Sequence, residues 1–427
     1  MIALDQVIQG TITSLAFGGA GIFRYNHFVI FVPYTCIGEE VEVRIQKVSK
    51  NFATALLIKV LTPSKERIEA RCPHFRVCPG CQIQHLSQAA QNHYKLSSVQ
   101  NALCKLDMPS SSITFQETTK TWEYRRYIKL ALHSTNNGFK MGYIAHDNKS
   151  LIEIGCCPIF VNEQNQIIQK LQTFTHNLDN VTPQKGSVTV FKADKSFILS
   201  FCFEKEIPKN IRLLAKIALQ EGVCKGIQIQ SANTCFSLGA THVAFSFEGL
   251  NILSHPKAFI QVHEEQSSLL YKKLYKHILA SHAKNVLDLY CGIGITTLLL
   301  AKMGLNVIGI EKNREAVKLA NSNKKSNEIQ NVKFLQASVE NVLEKTLSSF
   351  KADTVIINPP RTGIDKKVIQ ALGKARPKEL IYISCMPSTL ARDVSLLQQY
   401  GYHVVQGQAF DMFPQTGHVE TLLILMY

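Results

Sequence analysis

Five short apolar segments, at 285–289, 306–310, 332–335, 354–357 and 379–383, are separated from one another by helical patterns, and nothing else constrains the chain as strongly. Strands that alternate with helices build a parallel sheet with helices packed on both faces. The sequence therefore predicts a doubly wound α/β domain from about residue 256 onward. Open sheets of this kind bind ligands beyond the carboxyl ends of their strands. The residues at those ends are the candidates for chemistry.

The first segment runs into Asp288-Leu289-Tyr290-Cys291-Gly292-Ile293-Gly294. Glycines directly after a strand and before a helix let the backbone approach a ligand closely. Glu311 ends the second strand, where a carboxylate can accept hydrogen bonds from both ribose hydroxyls. A dinucleotide fingerprint would need a third glycine where Thr297 stands, which argues against NAD. With Asn358-Pro359-Pro360 after the fourth strand, the pattern looks like that of an S-adenosylmethionine-dependent methyltransferase.

Beyond the fifth strand, Ser384-Cys385-Met386-Pro387 places a thiol in the same crevice. The thiolate is the nucleophilic form, and a helix N-terminus or a nearby cation favours it. Near the end of the chain, Asp411-Met412-Phe413-Pro414-Gln415-Thr416-Gly417-His418-Val419-Glu420 is a polar turn before the final apolar strand, so Glu420 can face the crevice as a general base.

The remaining residues point to the partner. Lys and Arg total 47 against 32 Asp and Glu, a net charge of +15, while 45% of residues are hydrophobic. Such a chain is folded rather than disordered, and its surplus positive charge suits a phosphate backbone. Residues 1–60 read as short strands punctuated by Gly18, Gly19, Gly21, Pro33 and Gly38, a small barrel with basic residues on its surface. Residues 124–133 and 138–146 read as a hairpin about Asn136-Asn137-Gly138. The tract Trp122, Tyr124, Arg125, Arg126, Tyr127, Lys129 ahead of that turn mixes rings that can stack on bases with cations that can hold phosphates. No stretch approaches the roughly 20 apolar residues of a membrane helix, and the chain is expected to be cytoplasmic. Thiols there stay reduced, so the 12 cysteines invite metal binding or catalysis rather than disulfides. Cys72, Cys78 and Cys81 can wrap one soft metal centre, for which zinc and an iron–sulfur cluster are both open.

Together, DLYCGIG, NPPRTG, SCMPSTLARD and DMFPQTGHVE resemble, in this order, the RNA 5-methyluridine methyltransferase family, in particular its iron–sulfur members that act on bacterial 23S ribosomal RNA. The resemblance implies a TRAM-like, OB-like barrel over 1–60, an iron–sulfur and RNA-binding α+β domain over 61–255 and a Rossmann-like methyltransferase domain over 256–427. It implies Cys385 as the nucleophile that adds to uracil C6 and Glu420 as the base that removes the C5 proton. Gln261, Tyr290, Glu311 and Asn358 would bind S-adenosylmethionine. Cys72, Cys78, Cys81 and Cys157 would hold a [4Fe–4S] cluster, with Cys156 an alternative for the last ligand. A monomer is implied too.

Three positions depart from the family pattern. Asn358 stands where Asp is usual, Ile295 follows the glycine turn where a polar residue is frequent, and His263 replaces a common Asn. Two other functions stay open at this point. The NPP motif also occurs in enzymes that methylate exocyclic amines, which need neither Cys385 nor Glu420, and an RNA-binding ribosome-assembly factor without catalysis would keep the basic barrel.

Overall fold

The computed structural model of the 427-residue chain describes residues 2–109, 113–161, 165–179, 183–193 and 196–427. The N-terminal strands form a six-stranded sheet in the order Val7–Thr11, Glu40–Val48, Phe52–Thr62, Phe28–Val32, Gly21–Tyr25, Ser14–Leu15. Alternation in Glu40–Val48 turns Val41, Val43 and Ile45 into a fully buried core and leaves Glu40 and Arg44 outside. The sheet curls so tightly that a Cβ on Gly10 would lie 2.3 Å from the Phe23 ring. Glycine is required there by space alone.

The hairpin expected about Asn137 is present as Tyr127–Thr135 and Gly138–Ile144. It belongs to a seven-stranded sheet that continues through Lys185–Ala193, Ser196–Phe203, Gly226–Gln230 and Cys235–Gly239. Helices Asn165–His176 and Ile211–Gln220 contribute to its core, with Leu130, Leu132, Phe139, Val188 and Phe201.

The C-terminal sheet has eight strands, in the order Val332–Gln336, Asn306–Glu311, Asn285–Leu289, Thr354–Ile357, Glu379–Ser384, Glu420–Met426, His403–Phe410, Ile113–Gln116. The first five are parallel, as the alternation of strands and helices demands, and Glu420–Met426 runs antiparallel between Glu379–Ser384 and His403–Phe410. Separate apolar cores cover its two faces. Strand order reverses beside Asn285–Leu289, so the crevice opens at the ends of that strand and Thr354–Ile357.

One element lies outside its expected unit. Ile113–Gln116, read from sequence as part of a central segment over 61–255, pairs in parallel with His403–Phe410 and completes the C-terminal sheet. Ile113 lies over Gly407, where an added Cβ would meet it at 2.2 Å. The preceding helix Gln88–Leu103 packs against the helix Pro387–Gln398 of the same domain. Among the described residues no helix is long and apolar enough to cross a membrane.

Candidate active site

One cavity of about 1040 Å³ opens at the carboxyl ends of the parallel strands and is lined by Gln261, Tyr290, Glu311, Asn358, Cys385 and Glu420. All six residues singled out for cofactor binding and catalysis are thus brought together. Gln261 and Glu420 are 159 residues apart in sequence, and the fold closes that gap.

The first half of the cavity is built on the glycine turn. Asn285–Leu289 ends in Tyr290, a non-glycine residue at φ +62°, followed by Gly292 at +55° and by Gly294, which caps the helix Ile295–Lys302 at +83°. Left-handed backbone at Tyr290 is strained for a side chain of that size and persists where its surroundings fix it. No heavy atom lies within 4 Å of where a Cβ on Gly292 would sit, whereas one on Gly294 would meet the Phe334 ring at 2.6 Å. The first glycine leaves room for a ligand and the second closes the packing of helix on sheet.

Glu311 is set before any ligand arrives. Its Oε2 accepts from the Gly292 amide at 3.2 Å and its Oε1 from the Asn313 amide at 2.8 Å. A carboxylate has about four acceptor sites, so those left can take ribose hydroxyls. Beneath the turn, burial pushes the Asp288 carboxyl up to about 7, against the hydrogen bond that Thr297 donates to it at 2.6 Å. Thr297, which broke the dinucleotide pattern, therefore has work of its own in supporting the turn.

The second half holds the reactive groups. Cys385 follows the strand Glu379–Ser384 and precedes the helix Pro387–Gln398, whose first residue is proline. Burial raises its thiol pKa, and the Glu420 carboxyl adds to the rise, while a hydrogen bond and the charge of Arg361 oppose it. Glu420 opens the strand Glu420–Met426 and is only 4% exposed. Burial pushes its carboxyl up to about 8, again opposed by Arg361. A thiol, a carboxyl and one guanidinium acting on both therefore share the cavity.

Arg361 was legible only as part of NPPRTG, and the fold shows what holds it. The Thr389 hydroxyl donates to its carbonyl at 3.2 Å, and Arg392 donates to the Thr362 carbonyl at 2.9 Å. Asp393 in turn accepts from the Tyr382 hydroxyl at 2.6 Å and the Ile364 amide at 2.9 Å. The loop after Asn358 is thereby tied to the helix after Cys385. Arg125 also lines the cavity, and its buried Nε has no hydrogen-bond partner. Sequence placed it in a general RNA-binding tract and missed that it lines this cavity.

The loop from Asp411 to Val419, which leads into Glu420, is held by buried polar side chains of the helix Gln88–Leu103. Lys95 Nζ lies 2.5 Å from Asp411 and 3.0 Å from the Phe413 carbonyl, and both members of the ion pair are fully buried. Gln91 exchanges two hydrogen bonds with Gln415, while Tyr94 donates to the Gly417 carbonyl at 3.1 Å. From the central region, Tyr124 donates to the Pro414 carbonyl at 2.9 Å, and Gln82 accepts from the Gly417 amide at 3.2 Å. Nothing in the polar sequence of that helix announced this role.

Cys72, Cys78, Cys81 and Cys157 are free thiols. Burial pushes Cys81 up to about 12 and Cys157 up to about 11, and each also feels other cysteines of the set. Cys156 acts on Cys72, so both adjacent residues lie at the same cluster of thiols. Among the described residues, however, no three His, Cys, Asp or Glu side chains are grouped so as to hold a metal ion.

A doubly wound sheet with a carboxylate held at its glycine turn, and a thiol beyond the strand two places along, forms a Rossmann-like fold with its ligand crevice at the carboxyl ends of the strands. A family model described as tRNA (Uracil-5-)-methyltransferase matches residues 87–427, and a TRAM domain model matches residues 6–58. The chain belongs to this family of RNA uracil-C5 methyltransferases and carries a TRAM domain in its N-terminal part. It is 44% identical to an uncharacterised RNA methyltransferase of Protochlamydia amoebophila, over 100% of this chain and 99% of the relative. It is 31% identical to the 23S rRNA (uracil(1939)-C(5))-methyltransferase RlmD of Shewanella denitrificans, over 99% of this chain and 96% of that protein. Its fold matches the crystal structure of Pyrococcus abyssi tRNA (uracil-54, C5)-methyltransferase in complex with S-adenosyl-L-homocysteine, with TM-score 0.79 and 23% identity, covering 98% of this chain and 100% of that one.

Proposed function

We propose that the protein methylates C5 of a uridine in 23S ribosomal RNA through a covalent bond between Cys385 and uracil C6. The observation that carries this reading is the shared cavity of Cys385, Arg361 and Glu420 beside the Glu311 turn. S-adenosylmethionine supplies an electrophilic methyl group on a sulfonium. Glu311 would hold its ribose and Gln261, Tyr290 and Asn358 would line its place, with open space over Gly292 to admit it.

Uracil C5 is a poor nucleophile. Addition of the Cys385 thiolate to C6 would push electrons onto O4, and the enolate so formed would make C5 nucleophilic enough to take the methyl group, the S–CH3 bond breaking with its electron pair left on a neutral thioether. Arg361 favours the thiolate by charge and hydrogen bond. The Glu420 carboxylate then takes the C5 proton, and the returning electrons expel the thiolate and restore the ring. Mapping C5-methylated uridines in 23S rRNA with and without the protein tests the target. One methylated uridine lost from 23S rRNA is expected; an unchanged 23S rRNA with a uridine lost from tRNA would overturn it.

The acid–base groups set a pH dependence. Glu420 must be ionised to accept a proton, and burial holds its carboxyl at about 8, so its active fraction grows as pH rises toward that value. Cys385, raised as well, adds to the trend. Turnover is expected to climb steadily from pH 6.5 to 8.5; a flat or falling profile would contradict the assignment.

Asn358, where the family usually has Asp, keeps hydrogen-bonding capacity but offers no carboxylate. Asn358→Asp is expected to leave methylation intact or raise it. Loss of S-adenosylmethionine binding in that variant, read by titration calorimetry, would count against the position.

The all-sulfur donor set of Cys72, Cys78, Cys81 and Cys157 has the chemistry of [4Fe–4S] ligands, although the described side chains are not grouped as a metal site, and a cluster there would brace the segment whose Gln82 holds the Gly417 amide. No step of methylation passes through it. Anaerobic protein is expected to contain about four irons and four acid-labile sulfides per chain. Stoichiometric zinc without iron would refute the cluster.

A further inference from the structure

The turn at residues 16–19 belongs to the TRAM sheet but is packed against the catalytic loop. The Gly18 amide donates to the Tyr94 hydroxyl at 2.9 Å, and that hydroxyl donates to the Gly417 carbonyl. A Cβ on Gly417 would lie 2.5 Å from the Gly18 carbonyl carbon, and one on Gly19 would lie 2.5 Å from Ile83. Gly18 and Gly19 both take positive φ, at +98° and +88°. The turn is therefore wedged between the cysteine segment and the loop that leads into Glu420.

The wedge carries Phe17, a ring left 40% exposed. Its centroid is 6.0 Å from that of His418 at an interplanar angle of 65°, and His418 is 6.2 Å from Phe413 at 77°. His418 and Phe413 line the cavity that holds Cys385 and Glu420. Burial pushes the His418 imidazole down to about 4, so it is uncharged near neutral pH. Three uncharged rings thus form a ledge that starts inside the cavity and ends at an exposed phenylalanine on another domain.

We infer that Phe17 is an RNA-contacting residue, on which a base adjacent to the uridine in the cavity stacks. The inference rests on the uridine reading of that cavity. Drawing a base out of a strand leaves its neighbours without a stacking partner. An aromatic face beside the cavity replaces that partner, and a turn already locked in place loses little conformational freedom in doing so. Stacking is indifferent to base identity because every base has a π-face. Phe17 would therefore fix which way the strand lies across the cavity without reading sequence.

The test uses the full-length protein and a nine-residue oligouridylate. Loss of one base–aromatic stack corresponds to about a 5- to 150-fold weaker complex, expected for Phe17→Ala, while Phe17→Tyr binds like the wild type. S-adenosylmethionine affinity should be the same in all three proteins, which controls for folding. With 5-iodouridine next to the central residue, the photo-crosslinked peptide is expected to contain Phe17. Equal affinities for wild type and Phe17→Ala, or an equal loss in Phe17→Tyr, would overturn the ledge. A 5-fluorouridine at the centre reads the Cys385 chemistry separately: capture without a Phe17 effect sinks only the ledge. A Phe17 effect without capture sinks only the covalent mechanism.

Discussion

Glu420→Gln is expected to lower turnover by about two to four orders of magnitude, the range for removing a positioned general base. It should also change what accumulates. Glutamine cannot take the C5 proton, so the reaction would stop after methyl transfer, with the uracil ring methylated and still bonded to Cys385. Denaturing electrophoresis should then show a protein–RNA complex that the wild type does not accumulate. S-adenosylmethionine binding should be unaffected, because Glu311 rather than Glu420 meets the glycine turn. Stability supplies a second readout. In the folded protein burial holds the Glu420 carboxyl up at about 8, against an ordinary value of 4.5. The folded state therefore keeps a proton that the unfolded chain gives up, and this contribution to stability is lost as pH rises from about 4.5 through about 8. The glutamine variant lacks that dependence and should match or exceed wild-type stability at pH 8. Turnover within tenfold of wild type would remove Glu420 from the mechanism.

The second large effect is expected at Lys95, far in sequence from the residues it serves. Its ammonium and the Asp411 carboxylate are both fully buried, and burial lowers the lysine pKa while Asp411 opposes that shift. Removing one member of such a pair leaves a buried charge without its partner, which costs about 3–5 kcal/mol. Lys95→Met should show this loss in denaturant titration, even though Gln88 still donates to Asp411 at 3.1 Å. Replacing both partners, Lys95→Met with Asp411→Leu, should recover most of it, because paired burial of apolar groups of similar volume is close to neutral. Turnover of the single variant should fall more than its affinity for S-adenosylmethionine, since the loop it releases leads into Glu420 and not into the Glu311 turn. A stability change below about 1 kcal/mol, the range of exposed ion pairs, would show that the pair is not buried in solution.

These two residues mark how far the sequence alone reaches. Glu311 and Cys385 are legible because they stand at the carboxyl ends of parallel strands, which when buried are near-continuous apolar runs that stand out in any chain, and Glu420 because it opens the final apolar strand. The five segments read from sequence match the strands to within a residue at their ends. Lys95 sits in a mostly polar helix, and its partner is 316 residues away, a distance over which no local pattern carries information. The strand Ile113–Gln116 was hidden for the same reason: it is four residues long, at a sheet edge, and is defined by a partner near residue 410. Arg125 was visible as a cation among aromatics, but only the fold places it in the lining of the cavity that also holds Cys385 and Glu420. The cysteines were visible as a set, while how near they come to one another depends on how residues 72–81 meet 156–157.

Catalysis through Cys385 is tested most directly by incubating the protein and S-adenosylmethionine with 5-fluorouracil-substituted 23S rRNA. Fluorine at C5 cannot leave as a proton, so the reaction halts with the ring methylated and covalently held. The expected result is a denaturation-resistant complex in which mass spectrometry finds the methylated fluorouracil on the peptide containing Cys385, and its complete loss in Cys385→Ala. Methyl transfer to ordinary 23S rRNA by the Cys385→Ala variant, or an adduct on any other residue, would contradict it.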